Sequence, residues 1–294
     1  MNQLNDINID RKSIAKQVLT DIDKACQNLY KENGHRRHLG ASEVADQCWR
    51  KIYYTFRWVK AAQNDGRQER LFQVGHEQEP KFITWLTEAG FQVWDKAEDG
   101  EQFRTSFGNG HGGGSLDSII KFPPSYGIDF PVLGEYKTNS TGSAFNKLLE
   151  NGVEAEKPVH YGQMCVYGCD PIYNFSHALY LNINKNDSDL HVEIVALDHE
   201  HGEKLKDKAI QIINIDHLPN RISDRSTHFV CKMCNYADIC FKDAPVEINC
   251  RSCKYAQPVA DKQWYCSLPA HNAIIPEEFI PKGCVAHISV NKAD

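Results

Sequence analysis

The stretch LGEYKTNS, residues 133–140, places a glutamate and a lysine two residues apart in a segment with apolar neighbours. Side chains of a β-strand alternate between its two faces, so Glu135 and Lys137 share one face and Tyr136 points to the other. A structural ion pair is one explanation of this pattern. A metal-dependent catalytic site is the other, and the rest of the sequence has to decide between them.

Composition indicates an ordinary globular protein. The chain has 294 residues, of which 41% are hydrophobic and 24% charged, enough for a sizeable core in one or two domains. The formal net charge of −6 argues against a uniformly basic surface that binds nucleic acid non-specifically. GHRRHLG at 34–40, with Arg50, Lys51, Arg57 and Lys60, could form a local basic channel or a solvated basic face.

Two observations bear on the compartment. No apolar run approaches the roughly 20 residues that span a membrane, so we expect no membrane partner. The amino terminus MNQLNDINID lacks the basic and apolar segments of a secretory signal. We therefore expect a cytoplasmic protein.

Hydrophobic periodicity predicts helices that flank a small mixed sheet, an α/β or α+β arrangement. Helical patterns cover 8–31 (apolar stripe from Ile9 to Leu29), 43–58 with Ser42 as N-cap, 67–89 up to Gly90, 143–151, 158–169 and 199–213. Strand patterns cover 91–94, SLDSIIKF, PVLGEYKT, SHALYLNIN and LHVEIVAL, the second and third as a hairpin. We divide the chain into an N-terminal helical segment (1–34), a central domain (35–245) and a cysteine-rich module (246–294).

The predicted hairpin brings a second acid to the glutamate and the lysine. Asp117 lies in the strand before Glu135, so both carboxylates could bind one cation, with the carbonyl of Tyr136 as a further oxygen ligand. Oxygen-rich sites favour Mg²⁺ or Mn²⁺. Lys137 could orient the attacking water or stabilise the transition state of phosphodiester hydrolysis, a role whose loss typically costs roughly 10²–10³ in rate.

Two further pairs lie at helical spacing on either side of these strands. His76 and Glu79 are at i and i+3 in FQVGHEQEP, so both can face one cleft. Gln163 and Tyr167 are at i and i+4 in HYGQMCVYGC. Each pair alone is ordinary for a helix surface; the order of all the motifs is what indicates a site.

This order of motifs resembles the RecB-like branch of the PD-(D/E)XK nuclease superfamily. The resemblance implies a restriction-endonuclease-like core. It also implies metal ligands (His76, Asp117 and Glu135), a catalytic residue (Lys137) and residues that shape the site and contact DNA (Gln163 and Tyr167). Leu116 stands where the superfamily has the proline of its name, a departure common in this branch.

Eleven cysteines without an export signal indicate metal binding rather than disulfides. Cys48 is isolated, whereas Cys231, Cys234 and Cys240 form C-x₂-C-x₅-C. This set resembles the iron–sulfur staple of CRISPR-adaptation-associated RecB-like nucleases and of the AddAB-type nuclease domain. The resemblance implies a [4Fe–4S] cluster that ties the two ends of the nuclease domain together.

A different assignment of the cysteines competes with this one. Cys231 and Cys234 with Cys250 and Cys253 form C-x₂-C-x₁₅-C-x₂-C, a spacing typical of a zinc ribbon. That pairing would leave Cys48 and Cys240 unused. We favour the assignment that uses eight cysteines in two sites, the second a Cys₄ module expected to hold Zn²⁺. Its four ligands would be Cys250, Cys253, Cys266 and Cys284.

The sequence thus predicts a metal-dependent DNA nuclease. We expect an exonuclease that processes DNA ends or single strands by two-metal-type phosphodiester hydrolysis. The chain contains no G-x-x-x-x-G-K-[ST] loop, so unwinding would need a helicase or a recombination or CRISPR partner protein. The alternatives are a catalytically silent nuclease fold that binds nucleic acid or protein, and a redox protein. The resemblance implies a bacterial cell, or a phage in a bacterial host.

Overall fold

The computed structural model describes residues 10–30, 35–61, 64–139 and 142–291. The strands, in chain order, are β1 (Leu39–Gly40), β2 (Gln92–Trp94), β3 (Arg104–Phe107), β4 (Gly112–Ser115), β5 (Ser118–Lys121), β6 (Val132–Asn139), β7 (His177–Asn184), β8 (Leu190–Ala196), β9 (Ala256–Pro258), β10 (Trp264–Cys266) and β11 (Ala273–Ile274). The helices are α1 (Arg11–Tyr30), α2 (Ala41–Val44), α3 (Trp49–Phe56), α4 (Gly66–His76), α5 (Glu79–Glu88), α6 (Gly142–Glu156), α7 (Pro158–Gly168), α8 (His199–Asn214), α9 (Phe229–Lys232) and α10 (Ala237–Lys242).

A five-stranded mixed sheet in the order β2-β5-β6-β7-β8 carries the stretch that opened the sequence analysis. Strands β2, β5 and β6 are antiparallel neighbours, β7 is parallel to β6, and β8 is antiparallel to β7. A parallel neighbour needs a crossover connection, which α6 and α7 supply between β6 and β7. The chain is therefore a mixed α/β protein, as predicted.

The predicted hairpin of β5 and β6 is confirmed. Ser118 pairs with Gly134 and Ile120 with Val132, which leaves Asp117, just before β5, beside the glutamate of β6. Two smaller three-stranded sheets, β1-β4-β3 and β11-β10-β9, lie outside the main sheet.

The alternation of side chains along β6 and β7 divides the apolar residues between two cores. Val132 and Tyr136 pack with Phe82 of α5, whereas Leu133 and Tyr180 pack with residues of α6, α7 and α8. Helices thus cover both faces of the sheet, and this burial accounts for the apolar character of both strands. Glu135 and Lys137 belong to the face that α7 covers.

Two predicted helices are interrupted. The expected helix over 67–89 is two helices, α4 and α5, separated at residues 77 and 78; Pro80 lies in the first turn of α5, where a missing N–H is tolerated. The expected helix after Ser42 is likewise α2 and α3, and the N-caps are Gly40 and Cys48 rather than Ser42. The predicted end of the second helix near Gly90 is correct: α5 ends at Glu88, and Gly90 just beyond it has a φ of +92°.

The two ends of the chain differ in their packing. Helix α1 has no buried residue, and its predicted stripe is exposed as far as it is described; Ile9 lies outside the described residues. By contrast, Trp264 of the cysteine-rich region belongs to the main core, and buried Arg57 donates hydrogen bonds to the carbonyls of Cys253 (2.6 Å) and Ala256 (2.9 Å). The predicted domain boundary at 246 therefore falls inside a shared core. None of the described helices combines the length and apolarity needed to cross a membrane.

Candidate functional site

Glu135 and Lys137 lie side by side on the face of β6 that packs against α7. The Glu135 side chain is fully buried, and the Lys137 side chain is a quarter exposed. The ammonium of Lys137 contacts Oε1 of Glu135 and lies 3.9 Å from Oδ2 of Asp117. The Lys137 ammonium therefore contacts one carboxylate and lies near a second, and one side of the lysine is exposed to solvent.

Asp117 is fixed by the backbone of the neighbouring strand. Its Oδ2 accepts a hydrogen bond of 2.7 Å from the backbone N–H of Tyr136. This contact holds the Asp117 carboxylate beside the ion pair of Glu135 and Lys137, so the structure brings the three predicted residues together. The Tyr136 side chain points to the opposite face, where its hydroxyl lies 2.6 Å from Oγ of Ser118; its carbonyl stays a predicted ligand.

The electrostatics of this group follow from burial. Burial raises the pKa of Glu135, the Lys137 ammonium opposes this, and the charges of Asp117 and Glu79 add to the increase, so that the resulting pKa is about 7. Burial alone would lower the pKa of Lys137, but the charges of Glu135 and Asp117 outweigh that effect and raise it. Lys137 is therefore a cation at neutral pH and donates protons in hydrogen bonds rather than accepting them.

A cleft of about 370 Å³ leads from Lys137 to the break between α4 and α5. His76, the last residue of α4, and Glu79, the first of α5, both line it. His76 Nδ1 lies 3.8 Å from Glu79 Oε1, and the imidazole is largely exposed. Burial, followed by the charge of Asp117, raises the pKa of Glu79, so a third carboxylate belongs to the same electrostatic group. The sequence analysis noted Glu79 beside His76 but did not include it among the ligands.

The second predicted pair, Gln163 and Tyr167, is buried on α7. Gln163 Nε2 donates to the Tyr167 hydroxyl at 3.3 Å. Burial, with the charges of Glu135 and Asp117, raises the pKa of Tyr167. Gly114 of β4 allows this placement, because a Cβ there would collide with the Tyr167 hydroxyl.

A buried network behind Lys137 was missed from the sequence. Tyr180 and Asn182 of β7 lie opposite Glu135 and Lys137 in the parallel register. Asn182 Nδ2 donates to the Tyr180 hydroxyl at 3.1 Å, and that hydroxyl lies 3.0 Å from Nδ1 of His160.

His160 also lines the cleft. Burial, followed by the charges of Lys137 and Lys157, lowers its pKa to about 3, so its imidazole is neutral. The i, i+3, i+7 spacing of His160 with Gln163 and Tyr167 was the available signal. The pairing of β6 with β7 that completes the network could not be read from the sequence.

The carboxylates of Asp117 and Glu135 are suitable ligands for a hard cation, but the Lys137 ammonium occupies the position beside them. Among the described residues, no set of three or more histidine, cysteine or acidic side chains is arranged to hold a metal ion. The Lys137 ammonium lies where a cation would neutralise Asp117 and Glu135. The Oε2 atom of Glu135 is nevertheless buried with no hydrogen-bond donor, which leaves oxygen ligand capacity unused.

Four cysteines from distant parts of the chain line one small cavity: Cys48, Cys231, Cys234 and Cys240. Burial, followed by the neighbouring thiols of Cys48 and Cys240, raises the pKa of Cys231. Three basic side chains, Arg50, Lys51 and Arg221, line the same cavity. Such surroundings would compensate the negative charge of four thiolates.

Three of the basic residues that the sequence suggested for a channel or a basic face make contacts within the chain. Arg57 is buried, Lys51 contacts Asp46, and the Lys60 ammonium pairs with Asp238 at 2.7 Å. These side chains therefore serve internal contacts.

The remaining four cysteines of the eight-cysteine assignment also lie together. Burial, followed by the charges of Cys284, Cys253 and Cys266, raises the pKa of Cys250 to about 11. Cys253 is buried and Cys284 exposed. The thiols that influence Cys231 and Cys234 belong to the first set, and those that influence Cys250 belong to the second. The groups bound by either set stay predictions.

Comparison with known proteins gives little beyond the geometry. No protein-family model matches the chain, and no curated protein matches it. The crystal structure of SSO0001 is similar at a TM-score of 0.45 and 14% identity, over 77% of this chain and 96% of that one. An alkaline exonuclease, LHK-Exo from Laribacter hongkongensis, is similar at a TM-score of 0.38 and 16% identity, over 65% of this chain and 89% of that one. The structure of LHK-Exo in complex with dAMP is similar at a TM-score of 0.38 and 14% identity, over 60% of this chain and 86% of that one. At these TM-scores the similarities carry no argument about this chain.

Proposed function

We propose that the chain is a metal-dependent deoxyribonuclease of the RecB-like type, acting as an exonuclease on DNA ends or single strands. The observation that carries the proposal is one group of side chains: a buried Glu135, a Lys137 held as a cation, and an Asp117 fixed beside them by a backbone N–H. A structural ion pair needs only one acid and one base. Here Lys137 contacts Glu135 and lies near Asp117, and the charge of Glu79 acts on the same group at the wall of an open cleft.

The donor set suits Mg²⁺ or Mn²⁺. Asp117 and Glu135 would hold the cation, with Glu79 and His76 at the open side of the cleft and the Tyr136 carbonyl as a further oxygen. The unused Oε2 of Glu135 supports this assignment. The Lys137 ammonium contacts Oε1, so a cation would bind through Oε2 or take the place of the ammonium. A bound cation would supply an activated water and neutralise charge on the phosphate.

The protein groups have separate tasks in this proposal. Lys137 donates hydrogen bonds to a phosphoryl oxygen, because its raised pKa keeps it protonated. Glu135 would be ionised when it binds the cation, so its task would be to hold the metal. Gln163 and Tyr167 lie behind them and hold the wall of the site in place.

We further propose that the two cysteine sets are structural. Cys48 caps α3, whereas its three neighbours come from the region of α9 and α10, so a [4Fe–4S] cluster there would cross-link distant segments. Cys250 and its neighbours would hold Zn²⁺ in a region that already shares the main core. The partner protein would be a helicase or a recombination or CRISPR protein. The chain contains no G-x-x-x-x-G-K-[ST] loop, so another protein would have to unwind the DNA.

The experiment compares degradation of end-labelled single- and double-stranded DNA by the wild type, Lys137→Ala and a matched control, Lys121→Ala. Lys121 lies exposed on β5 and does not line the cleft. With Mg²⁺ or Mn²⁺, and protein purified anaerobically, we expect Lys137→Ala to lose roughly 10²–10³ in rate and Lys121→Ala to keep the wild-type rate. Equal cleavage rates for Lys137→Ala and the wild type would show that Glu135 and Lys137 form a structural ion pair and not a catalytic site.

A further inference from the structure

A second cavity continues the cleft that contains Lys137. The inner cavity is the cleft of about 370 Å³ described above, and the outer cavity, of about 450 Å³, lies between α4, α5 and the turn that joins β7 to β8. Lys185 lines both, so the two cavities are neighbours; we refer to them together as the path. Each cavity has a volume suited to a small polar ligand rather than to a duplex.

Each cavity presents one aromatic ring to solvent. Phe72 of α4 lines the inner cavity and is 49% exposed; Trp85 of α5 lines the outer cavity and is 44% exposed. Single exposed aromatic residues are common on proteins, but here each lines a cavity that a lysine also lines. Such rings can stack on nucleic-acid bases, whatever the base.

Trp85 is held in a fixed relation to the candidate site. Its ring meets Phe82 edge to face at 5.6 Å between centroids, and Phe82 stacks on Tyr136 at 5.2 Å. Tyr136 is the residue of β6 between Glu135 and Lys137. The exposed ring is therefore positioned by packing against the strand that carries the site.

The lysines of the path supply charge without internal partners. Lys81 lines the outer cavity and Lys185 lies at the junction. Among the described residues, no carboxylate forms an ion pair with either ammonium. The backbone N–H of Lys185 donates to the carbonyl of Asn139 at 2.8 Å, which fixes the junction to the end of β6. Unpaired cations beside stacking rings complement a chain of phosphates and bases.

We propose that this path binds a single strand of DNA in line with the catalytic site. One base stacks on Trp85 in the outer cavity, a phosphate lies at Lys185 and Lys81, and the strand enters the inner cavity past Phe72. A base pair inside a duplex has both faces covered by its neighbours, so it offers no face to Trp85. The inference rests on the proposed function, because the phosphate to be cleaved is the one that reaches Lys137.

The test is equilibrium binding of a fluorescein-labelled oligothymidylate to the full-length protein in EDTA, where cleavage is blocked. We expect Trp85→Ala to weaken binding about 5- to 150-fold and Trp85→Phe to recover most of the affinity. Trp94→Ala is the matched control, since Trp94 is also 44% exposed but lines neither cavity. Lys81→Ala and Lys185→Ala should each reduce the slope of log affinity against log salt by about 0.7, and Lys121→Ala should not.

The outcomes separate this inference from the proposed function. Binding by Trp85→Ala as tight as that of the wild type overturns the single-strand path. If the wild type cleaves DNA but its binding does not depend on Trp85, the single-strand path is refuted and the proposed nuclease activity stands. Binding that depends on Trp85 and not on Trp94, in a protein that cleaves no DNA with Mg²⁺ or Mn²⁺, supports the path and refutes the nuclease.

Discussion

Replacing Glu135 with glutamine should remove a pH-dependent loss of stability from the metal-free protein. The side chain is fully buried, and its pKa is raised from the ordinary value of 4.5 to about 7. Between these two values the folded chain keeps a proton on Glu135 that the unfolded chain has lost. The wild type therefore loses stability as the pH rises through this interval.

The size of the effect follows from the same two values. At about 1.4 kcal/mol for each pKa unit, the difference corresponds to about 3 kcal/mol between pH 4.5 and pH 7. Lys137 remains protonated throughout, because its own pKa is raised. Glu135→Gln carries no titrating group, so its stability relative to the wild type should rise by about 3 kcal/mol over this interval and level off above pH 7.

The assay is urea unfolding of the wild type and Glu135→Gln in EDTA at half-unit steps from pH 4.5 to pH 8. Comparing the two proteins at each pH cancels the titration of groups that do not interact with Glu135, and the measured difference includes the coupling to its charged neighbours. Any new contact between the introduced amide and Lys137 adds an offset that does not change with pH. A difference in unfolding free energy that stays constant across the range would refute the reasoning.

Further predictions concern the wall of the site and the cysteine sets. Gly114→Ala should destabilise the protein by about 1–3 kcal/mol, because its methyl group meets the Tyr167 hydroxyl, and Tyr167→Phe in the same chain should recover part of the loss, as measured by thermal unfolding. Cys48→Ser should abolish iron binding and leave zinc unchanged, whereas Cys284→Ser should do the reverse; metal analysis of anaerobic preparations checks both. Unchanged iron in Cys48→Ser would show that the assignment of the cysteines is wrong.

The placement of the residues that was predicted correctly depends on local regularities. The period of two in a strand places Glu135 and Lys137 on one face, and a turn-like connection indicates that β5 and β6 are neighbours. Asp117 follows from that pairing. These relations need only the backbone geometry of adjacent segments.

The parts that were missed depend on contacts between distant segments. Tyr180 and Asn182 reach the site only through the parallel pairing of β7 with β6, which a sequence pattern does not specify. The helix breaks before α3 and α5 were also missed, because the hydrophobic periodicity of the sequence continues through both. At these breaks the chain turns, and Cys48 lines one cavity and Glu79 another. Arg57 looked like a surface cation and is instead a buried donor to the cysteine-rich region.

The most direct test of the account measures DNA degradation by anaerobically purified wild type and Asp117→Asn with Mg²⁺, Mn²⁺ or EDTA. The introduced amide keeps an oxygen for the Tyr136 N–H but loses the charge beside Lys137, so folding should be preserved and metal-dependent cleavage lost. We expect release of labelled nucleotides by the wild type with either metal, none in EDTA, and a large decrease for Asp117→Asn. A wild type with intact iron that releases nothing with either metal, or an Asp117→Asn variant as active as the wild type, would contradict it.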